Sequence, residues 1–172
     1  MPLRRYFLAI LLAFLLVSGA AFQAVAGSWT TVKNARHGFE IAYPTAIFAP
    51  KSPTRTDEGG IFESKDGKAK LLVGAFANDA AASLEDYRRH ILEQEYAGVE
   101  IDYAPTRARW FVLAGESNGT IFYQRVTFTC GGKLINSWAM LYPASERKRY
   151  GRILAAVARS FTPGEGRTGT CD

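Results

Sequence analysis

Two short glycine turns in the second half of the chain restrict its fold more than any other feature. Asn118-Gly119 and Gly131-Gly132 separate three runs of strand-forming residues. A two-residue hairpin requires positive φ at its central positions, which asparagine and glycine adopt at low cost. We therefore predict an antiparallel meander whose register is fixed by the turns. Its three strands span residues 109–117, 120–130 and 133–143.

The predicted register assigns the side chains of this meander to two faces. Phe111 pairs with Val126 across the first turn, and Arg125 pairs with Trp138 across the second. One face is apolar and suits the final helix; it carries Phe111, Leu113, Phe122, Val126, Phe128, Ile135, Ala139 and Leu141. The other, called the mixed face below, carries Trp110, Val112, Ile121, Tyr123, Arg125, Thr127, Leu134, Asn136, Trp138 and Met140.

The mixed face supports two interpretations. In the first, the first helix covers it and Arg125 stacks on Trp138 as a cation–π pair at the rim, because aromatic residues at strand spacing usually pack. In the second, it forms a shallow pocket for a small ligand or a peptide, apolar with a few polar groups. The residues assigned to that binding site are Trp110, Tyr123, Arg125 and Trp138.

The remainder of the chain supplies further strands and two helices. Residues 38–44 alternate apolar and polar side chains, which indicates a strand, and a polar loop follows. Asp66-Gly67 predicts a hairpin between strands at residues 61–64 and 69–77. Residues 99–105 are predicted as one more strand before the meander.

Both predicted helices are amphipathic. Ser83 is the expected N-cap of the first, with Gly98 expected at its C-terminal cap. Its apolar stripe consists of Leu84, Tyr87, Ile91 and Leu92. The final helix spans about residues 144–161, and its stripe consists of Tyr150, Ile153, Leu154, Val157, Ala158 and Phe161. The order of elements predicts an α+β fold, in which a central antiparallel sheet of about six or seven strands lies between two helices.

The first 26 residues have the three-part pattern of a secretory signal peptide. Arg4 and Arg5 precede an apolar run at residues 6–17, and small residues end in Ala24–Ala26, which predicts cleavage after Ala26. The alternative is a retained membrane anchor, although the apolar run is shorter than a spanning helix requires. The prediction divides the rest into a polar lead (27–37), one domain (38–162) and a flexible tail (163–172) tied by a disulfide.

Cys130 and Cys171 are the two cysteines of the chain. An even number of cysteines in an exported protein favours a disulfide, and this interpretation accounts for both. The alternative makes Cys130 a nucleophile, which requires a histidine base within hydrogen-bond reach. No motif places His37 or His90 against Cys130.

The composition and the motifs do not favour nucleic-acid binding, metal binding or phosphate binding. The net charge of +5 is modest and scattered, so no nucleic-acid partner is predicted. The two histidines and two cysteines lack a metal-ligand spacing, and no loop is built to hold phosphate. We therefore predict neither a metal nor a cofactor, and no stable membrane insertion after cleavage.

Several motifs together resemble the PsbP-like (Mog/PsbP-type) α/β/α sandwich. They are "GFEIAYP" opening the domain, the "DG" hairpin, "SLEDYRRHIL", "GGK" between two strands and a closing helix that ends in "ARSF". The resemblance covers residues 38–161 and departs from the family where Ile47 and Phe48 stand in place of a tryptophan. It implies an exported, periplasmic or secreted, non-enzymatic accessory or binding domain, with a protein or a small molecule as its partner.

Overall fold

The computed structural model describes residues 28–51 and 57–171. The predicted signal peptide lies outside the described residues. The elements in chain order are β1 (Trp29–Lys33), β2 (Glu40–Pro44), β3 (Phe48–Pro50), β4 (Gly59–Ser64), β5 (Lys70–Ala77), α1 (Leu84–Gln94), β6 (Thr106–Arg107), β7 (Trp110–Ser117), β8 (Thr120–Thr129), β9 (Leu134–Pro143) and α2 (Arg147–Ser160).

Seven of the strands form one antiparallel sheet in the order β3-β4-β5-β9-β8-β7-β6. Strands β1 and β2 form a separate two-stranded hairpin. Helix α1 packs on one face of the large sheet, whereas α2 and the β1–β2 hairpin pack on the other. The α+β class and the central antiparallel sheet with two helices are confirmed.

The two glycine turns set the register as predicted. Asn118 and Gly119 both have positive φ, and β7 pairs with β8 so that Phe111 lies opposite Val126. At the second turn the Lys133 N–H donates to the Cys130 carbonyl at 3.2 Å, and Arg125 lies opposite Trp138. The side chains of the meander therefore divide between the two faces as predicted.

The assignment of helices to faces was wrong. Helix α1 covers the apolar face, where Ile91 packs with Phe111 and Val126. Helix α2 covers the mixed face, where Val157 and Tyr150 belong to one cluster with Trp138. Both helices carry an apolar stripe, so periodicity alone does not distinguish which face each stripe contacts. The connections between elements decide this.

The first helix follows its predicted N-terminal signal but ends earlier than predicted. The Ser83 hydroxyl accepts the Asp86 N–H at 3.1 Å, as an N-cap residue does. The C-cap is Glu95 and not Gly98, although Gly98 does have positive φ. The apolar stripes of both helices are confirmed.

Three short strands differ from the prediction. The supposed polar lead contains β1, and the long loop after β2 contains β3 at the edge of the large sheet. Residues 99–105 form no continuous strand; Tyr103 makes an isolated bridge to Ala114, and the edge strand is β6. The side chains of β1 are mostly exposed, so it lacks the alternation that reveals a strand.

Candidate functional site: the mixed face

The structure divides the mixed face into two halves. The inner half consists of Leu134, Asn136, Trp138 and Met140 on β9, all of them buried. The outer half lies on β7 and β8, where Trp110, Tyr123 and Arg125 are only half-buried. The four residues predicted as a binding site are therefore neighbours on one face, but they do not share one environment.

Trp138 belongs to the core. It is 1% exposed, and its ring lies between Tyr123 and Phe161, at centroid distances of 5.1 and 6.1 Å. Phe161 follows α2 directly, so the end of that helix closes over the indole. Burial of a tryptophan is a large hydrophobic contribution to stability, and a partner has no access to most of this side chain.

The C-terminal tail covers the inner half as well. Asn136 is 0% exposed; its Oδ1 accepts the Gly164 N–H at 2.7 Å, and its Nδ2 donates to the Thr129 hydroxyl at 3.0 Å. The Thr129 hydroxyl in turn donates to the Gly164 carbonyl at 2.6 Å. A Cβ on Gly164 would collide with the His37 carbonyl, so only glycine fits between these layers.

The tail is held at further points besides the cysteine. Thr162, directly before the tail, forms a β-bridge with Glu40, and within the tail the Gly166 N–H donates to the His37 carbonyl at 3.0 Å. The prediction tied residues 163–172 to the domain through the disulfide alone. The structure adds these backbone bonds, because Asn136 and the turn before β2 supply partners to the tail.

The outer half is organised around Trp110. The Arg125 guanidinium carbon lies 4.7 Å from the centre of the Trp110 ring, and that of Arg107 lies 5.9 Å from the same centre. The predicted stack of Arg125 on Trp138 is therefore wrong: the cation–π partner is Trp110. Trp138 is buried against Phe161, which leaves the indole at the sheet edge as the available ring.

Two tyrosines extend this surface. Tyr103 bridges to Ala114, which pairs with Tyr123 on its other side. Tyr103 is 57% exposed, whereas burial raises the pKa of Tyr123, with Arg125 opposing that shift. We call the five residues Tyr103, Arg107, Trp110, Tyr123 and Arg125 the outer patch.

The charge of the outer patch is not neutralised within the described part of the chain. Neither Arg107 nor Arg125 forms an ion pair with any acidic side chain in residues 28–51 and 57–171. The arginines that do form ion pairs, such as Arg147 with Glu116 at 2.8 Å, lie elsewhere. The patch therefore combines two guanidinium groups without an acidic partner and three aromatic rings, which gives it a positive potential surrounded by apolar surface.

Three buried polar atoms lie beside the patch. Within the described residues, Arg125 Nε, Trp138 Nε1 and Thr127 Oγ1 are inaccessible to solvent and have no hydrogen-bond partner. Arg125 and Trp138 are opposite each other, and Thr127 follows Arg125 on the same face of β8. Buried polar groups are nearly always paired, so three unpaired ones in neighbouring positions are unusual.

The alternative of a nucleophilic cysteine is not favoured. Cys130 and Cys171 lie at disulfide distance, with their Cα atoms 5.1 Å apart, and the described residues contain no free cysteine. His37 is buried in the turn before β2, and its pKa is lowered by burial and by Arg36. His90 is exposed on α1. Within the described ranges no group of three potential metal ligands occurs.

A second concave surface lies on the opposite face of the sheet. Helix α1 leaves part of this face uncovered, and the resulting groove of about 840 Å³ is lined by Leu72, Ala139 and Leu141. At its rim the Tyr96 hydroxyl donates to Gln124 Oε1 at 2.9 Å, and burial raises the pKa of Tyr96 to about 12. The charged residues in its lining, Lys51 and Glu95, are of opposite sign, so the groove has no net charge to direct a partner.

Sequence reasoning found Trp110, Tyr123 and Arg125 but missed Arg107 and Tyr103. Arg107 joins the patch because β6 turns back on β7 through Ala108 and Arg109, which carry no glycine signal. Tyr103 was placed on a predicted strand, but nothing in that segment indicates its bridge to Ala114. The "TRARW" run of alternating arginines before Trp110 was the one available hint.

Comparison with solved structures identifies the fold. The chain is similar to the solution structure of cyanobacterial PsbP from Synechocystis sp. PCC 6803, with 15% identity, a TM-score of 0.57, and coverage of 84% of this chain and 98% of that one. It is also similar to the Ran-binding protein Mog1p of Saccharomyces cerevisiae, with 11% identity, a TM-score of 0.52, and coverage of 80% and 96%. A point mutant of the protein Mog1 gives 12% identity and a TM-score of 0.53, with coverage of 80% and 96%.

These similarities define a PsbP/Mog1-like fold, and the predicted resemblance is confirmed at this level. The sequence identities are low, so the likeness concerns architecture and not residues of a site. No protein-family model matches the chain, and comparison with curated proteins gives no match.

Proposed function

We propose that the mature protein is an exported, non-enzymatic binding domain that attaches to its partner through the outer patch. The observation that carries this proposal is the pair of guanidinium groups on the Trp110 ring, without an acidic partner among the described residues. Tryptophan, tyrosine and arginine are the residues that dominate the energy of protein interfaces. An arginine–aromatic patch at a sheet edge therefore suits a binding surface better than a core.

The fold and the chemistry both agree with a binding role. Of the similar structures, Mog1p is described as a Ran-binding protein, so this architecture can serve recognition of another protein. The cysteine pair does not favour Cys130 as a nucleophile, because a thiol held in a disulfide cannot attack a substrate. A protein or a small molecule remains the proposed partner, and no cofactor enters the proposal.

Export rests on the N-terminal sequence and on the cysteine pair. Residues 1–26 have the layout of a signal peptide, and disulfides persist in oxidising compartments such as the periplasm. Within residues 28–51 and 57–171, no helix has both the length and the apolar character needed to cross a membrane. N-terminal sequencing of the exported protein tests this part. We expect a start at Gly27, and a start at Met1 would contradict it.

Variant-dependent capture tests the binding surface. The protein is immobilised and exposed to the exported fraction of its own host, in parallel with Arg125→Ala, Trp110→Ala and the control Arg152→Ala. Arg152 is an exposed arginine on α2 and is not one of the five residues of the outer patch. We expect a partner retained by the wild type and the control to be lost by the two patch variants. Retention by all four proteins would refute the outer patch as the binding surface.

A further inference from the structure

The charge and the aromatic rings of the outer patch define the chemistry of the ligand. We propose that the patch binds an acidic segment of a protein partner, with Arg125 as the residue that recognises a carboxylate. This inference rests on the proposed function and adds the chemical class of the partner.

The positive charge of the patch favours a ligand with an anionic group. Arg107 and Arg125 both lie over the Trp110 ring, at 5.9 and 4.7 Å, and neither is neutralised within the described residues. Guanidinium is planar and offers several N–H donors that match the two oxygens of a carboxylate. Its stacking on an aromatic ring leaves the edge of the guanidinium for in-plane hydrogen bonds.

The polar atoms beneath the patch are donors without a partner among the described residues. Arg125 Nε and Trp138 Nε1 can only donate, and the Thr127 hydroxyl can also donate. Trp138 is 1% exposed and Thr127 is 7% exposed, so both belong to the inner wall of the patch, and all three atoms are closed to solvent. The half-buried Arg125 side chain is therefore the group that meets a ligand, and its positive charge selects an acidic one.

The surroundings of Arg125 favour a protein segment over a small inorganic anion. Trp110, Tyr103 and Tyr123 present wide, partly exposed rings beside the charge. Such rings bury the apolar side chains of a partner, and an inorganic anion makes no use of them. Arginine pairs with phosphate as well as with carboxylate, so the rings are what favour a protein segment, and inorganic phosphate is one arm of the test.

The chain carries its own reporters for this test. Its three tryptophans give three indole N–H resonances: Trp110 in the patch, Trp138 at the inner wall and Trp29 on β1, 44% exposed and in the separate two-stranded sheet. The probe is a blocked peptide that alternates glutamate and phenylalanine, and its matched control replaces each glutamate with glutamine. Substitution of each tryptophan with phenylalanine assigns the resonances.

We expect the glutamate peptide to shift the Trp110 and Trp138 resonances and to leave the Trp29 resonance in place. The glutamine peptide, and the glutamate peptide on Arg125→Gln, should bind about tenfold more weakly or worse, because a charge-assisted pair is lost. Arg152→Gln should bind as the wild type does. The resonance positions of unliganded Arg125→Gln report whether that variant is folded.

Three results would overturn the proposal. Equal binding of the two peptides would show that charge is not recognised. A shift of Trp29 alone would place the ligand elsewhere. Inorganic phosphate that produces the same shifts at lower concentration than the glutamate peptide would assign the patch to a phosphate ligand instead.

The proposed function fails independently of this inference. If native partner capture survives both Arg125→Ala and Trp110→Ala, the outer patch is not the binding surface, and both proposals fall. If capture depends on both residues while the two peptides bind equally, the binding surface stands and only its acidic partner class is wrong.

Discussion

The inner half of the mixed face lies on β9 and the outer half on the neighbouring strands β8 and β7; both follow the same alternation of side chains, yet they differ in what covers them. Trp138 and Asn136 in the inner half lie under Phe161 and the tail. Trp110 and Arg125 in the outer half contact each other at the sheet edge and remain half-buried. Two tryptophans on one face thus have different surroundings, since the covering layer, formed by α2, Phe161 and the tail, lies over Trp138 and leaves Trp110 half-buried.

Under the proposed function, this difference separates residues that stabilise the fold from residues that contact a partner. Residues under the covering layer are expected to contribute to the free energy of unfolding, and a partner cannot reach them. Residues beyond its edge make weaker contacts within the chain and keep area for a partner. The following variants test how sharp the division is.

The two tryptophans give the largest expected contrast. Trp138→Ala should lower the free energy of unfolding by about 3–5 kcal/mol, because a buried aromatic ring is replaced by a cavity. Trp110→Ala should cost about 1–2 kcal/mol, since its ring keeps contact with solvent. Urea unfolding followed by circular dichroism measures both. Equal losses would mean that the two halves are energetically one surface.

Removal of the cysteine pair tests how much the attachment of the tail contributes to the free energy of unfolding. The pair closes a loop with a sequence separation of 41 residues, for which chain entropy gives an upper limit of about 4 kcal/mol. We expect Cys130→Ala combined with Cys171→Ala to lose about 2–4 kcal/mol in the same urea assay. Reduced wild type is the control and should match the double variant; an unchanged unfolding midpoint would show that backbone bonds alone hold the tail.

Asn136 tests the hydrogen bonds beneath the tail. Asn136→Ala leaves the buried Gly164 N–H without its acceptor, and we expect a loss of about 1–3 kcal/mol. Thr127→Val is the matched control, because Thr127 lies opposite Asn136 and its hydroxyl is already unpaired. That variant should stay within about 0.5 kcal/mol of wild type. A larger loss for Thr127→Val than for Asn136→Ala would reverse the roles given to these residues.

Arg125 tests whether a residue of the outer half contributes to stability. Arg125→Ala should change the free energy of unfolding by less than about 1 kcal/mol, since a cation–π contact that keeps access to solvent contributes about 0.5–1 kcal/mol. The same variant should abolish partner capture. A loss of several kcal/mol would place Arg125 with the stabilising residues of the inner half.

His37, beneath the tail, gives the smallest effect and a pH dependence. Burial and then Arg36 lower the pKa of His37, while Glu58 opposes them, so the folded state binds its proton less readily than the unfolded state. Stability should therefore decrease as pH falls below about 6.5, the value in the unfolded chain. His37→Gln should flatten this slope below about pH 6.5, because the variant lacks the imidazole that the unfolded chain protonates more readily. A steeper slope for His37→Gln would contradict the assignment.

Local sequence signals predicted much of the sheet. Positive φ at Asn118 and Gly119 sets the β7–β8 register, and with it the face on which every side chain of the meander lies. The Ser83 cap and the two apolar helical stripes are also local, since they depend on neighbours three and four residues away. These features did not need the rest of the fold.

The outer patch was only partly predictable. Trp110 and Arg125 share a face by register, but their contact is diagonal across strands and competes with the direct Arg125–Trp138 pair. Arg107 and Tyr103 reach the patch through edge pairings that have no turn signal. Arg125 is long enough to reach either Trp110 or Trp138, and it stacks on Trp110 because Phe161 packs against Trp138.

The sequence by itself determined the hairpins, the register and the two faces of the sheet, because turn geometry and alternation act over a few residues. Only the tertiary structure decided that α2 and the tail cover the inner half while the edge at Trp110 stays half-buried. Burial depends on contacts between segments distant in sequence, such as Asn136 with Gly164, and no local pattern encodes which of the equivalent apolar surfaces will meet.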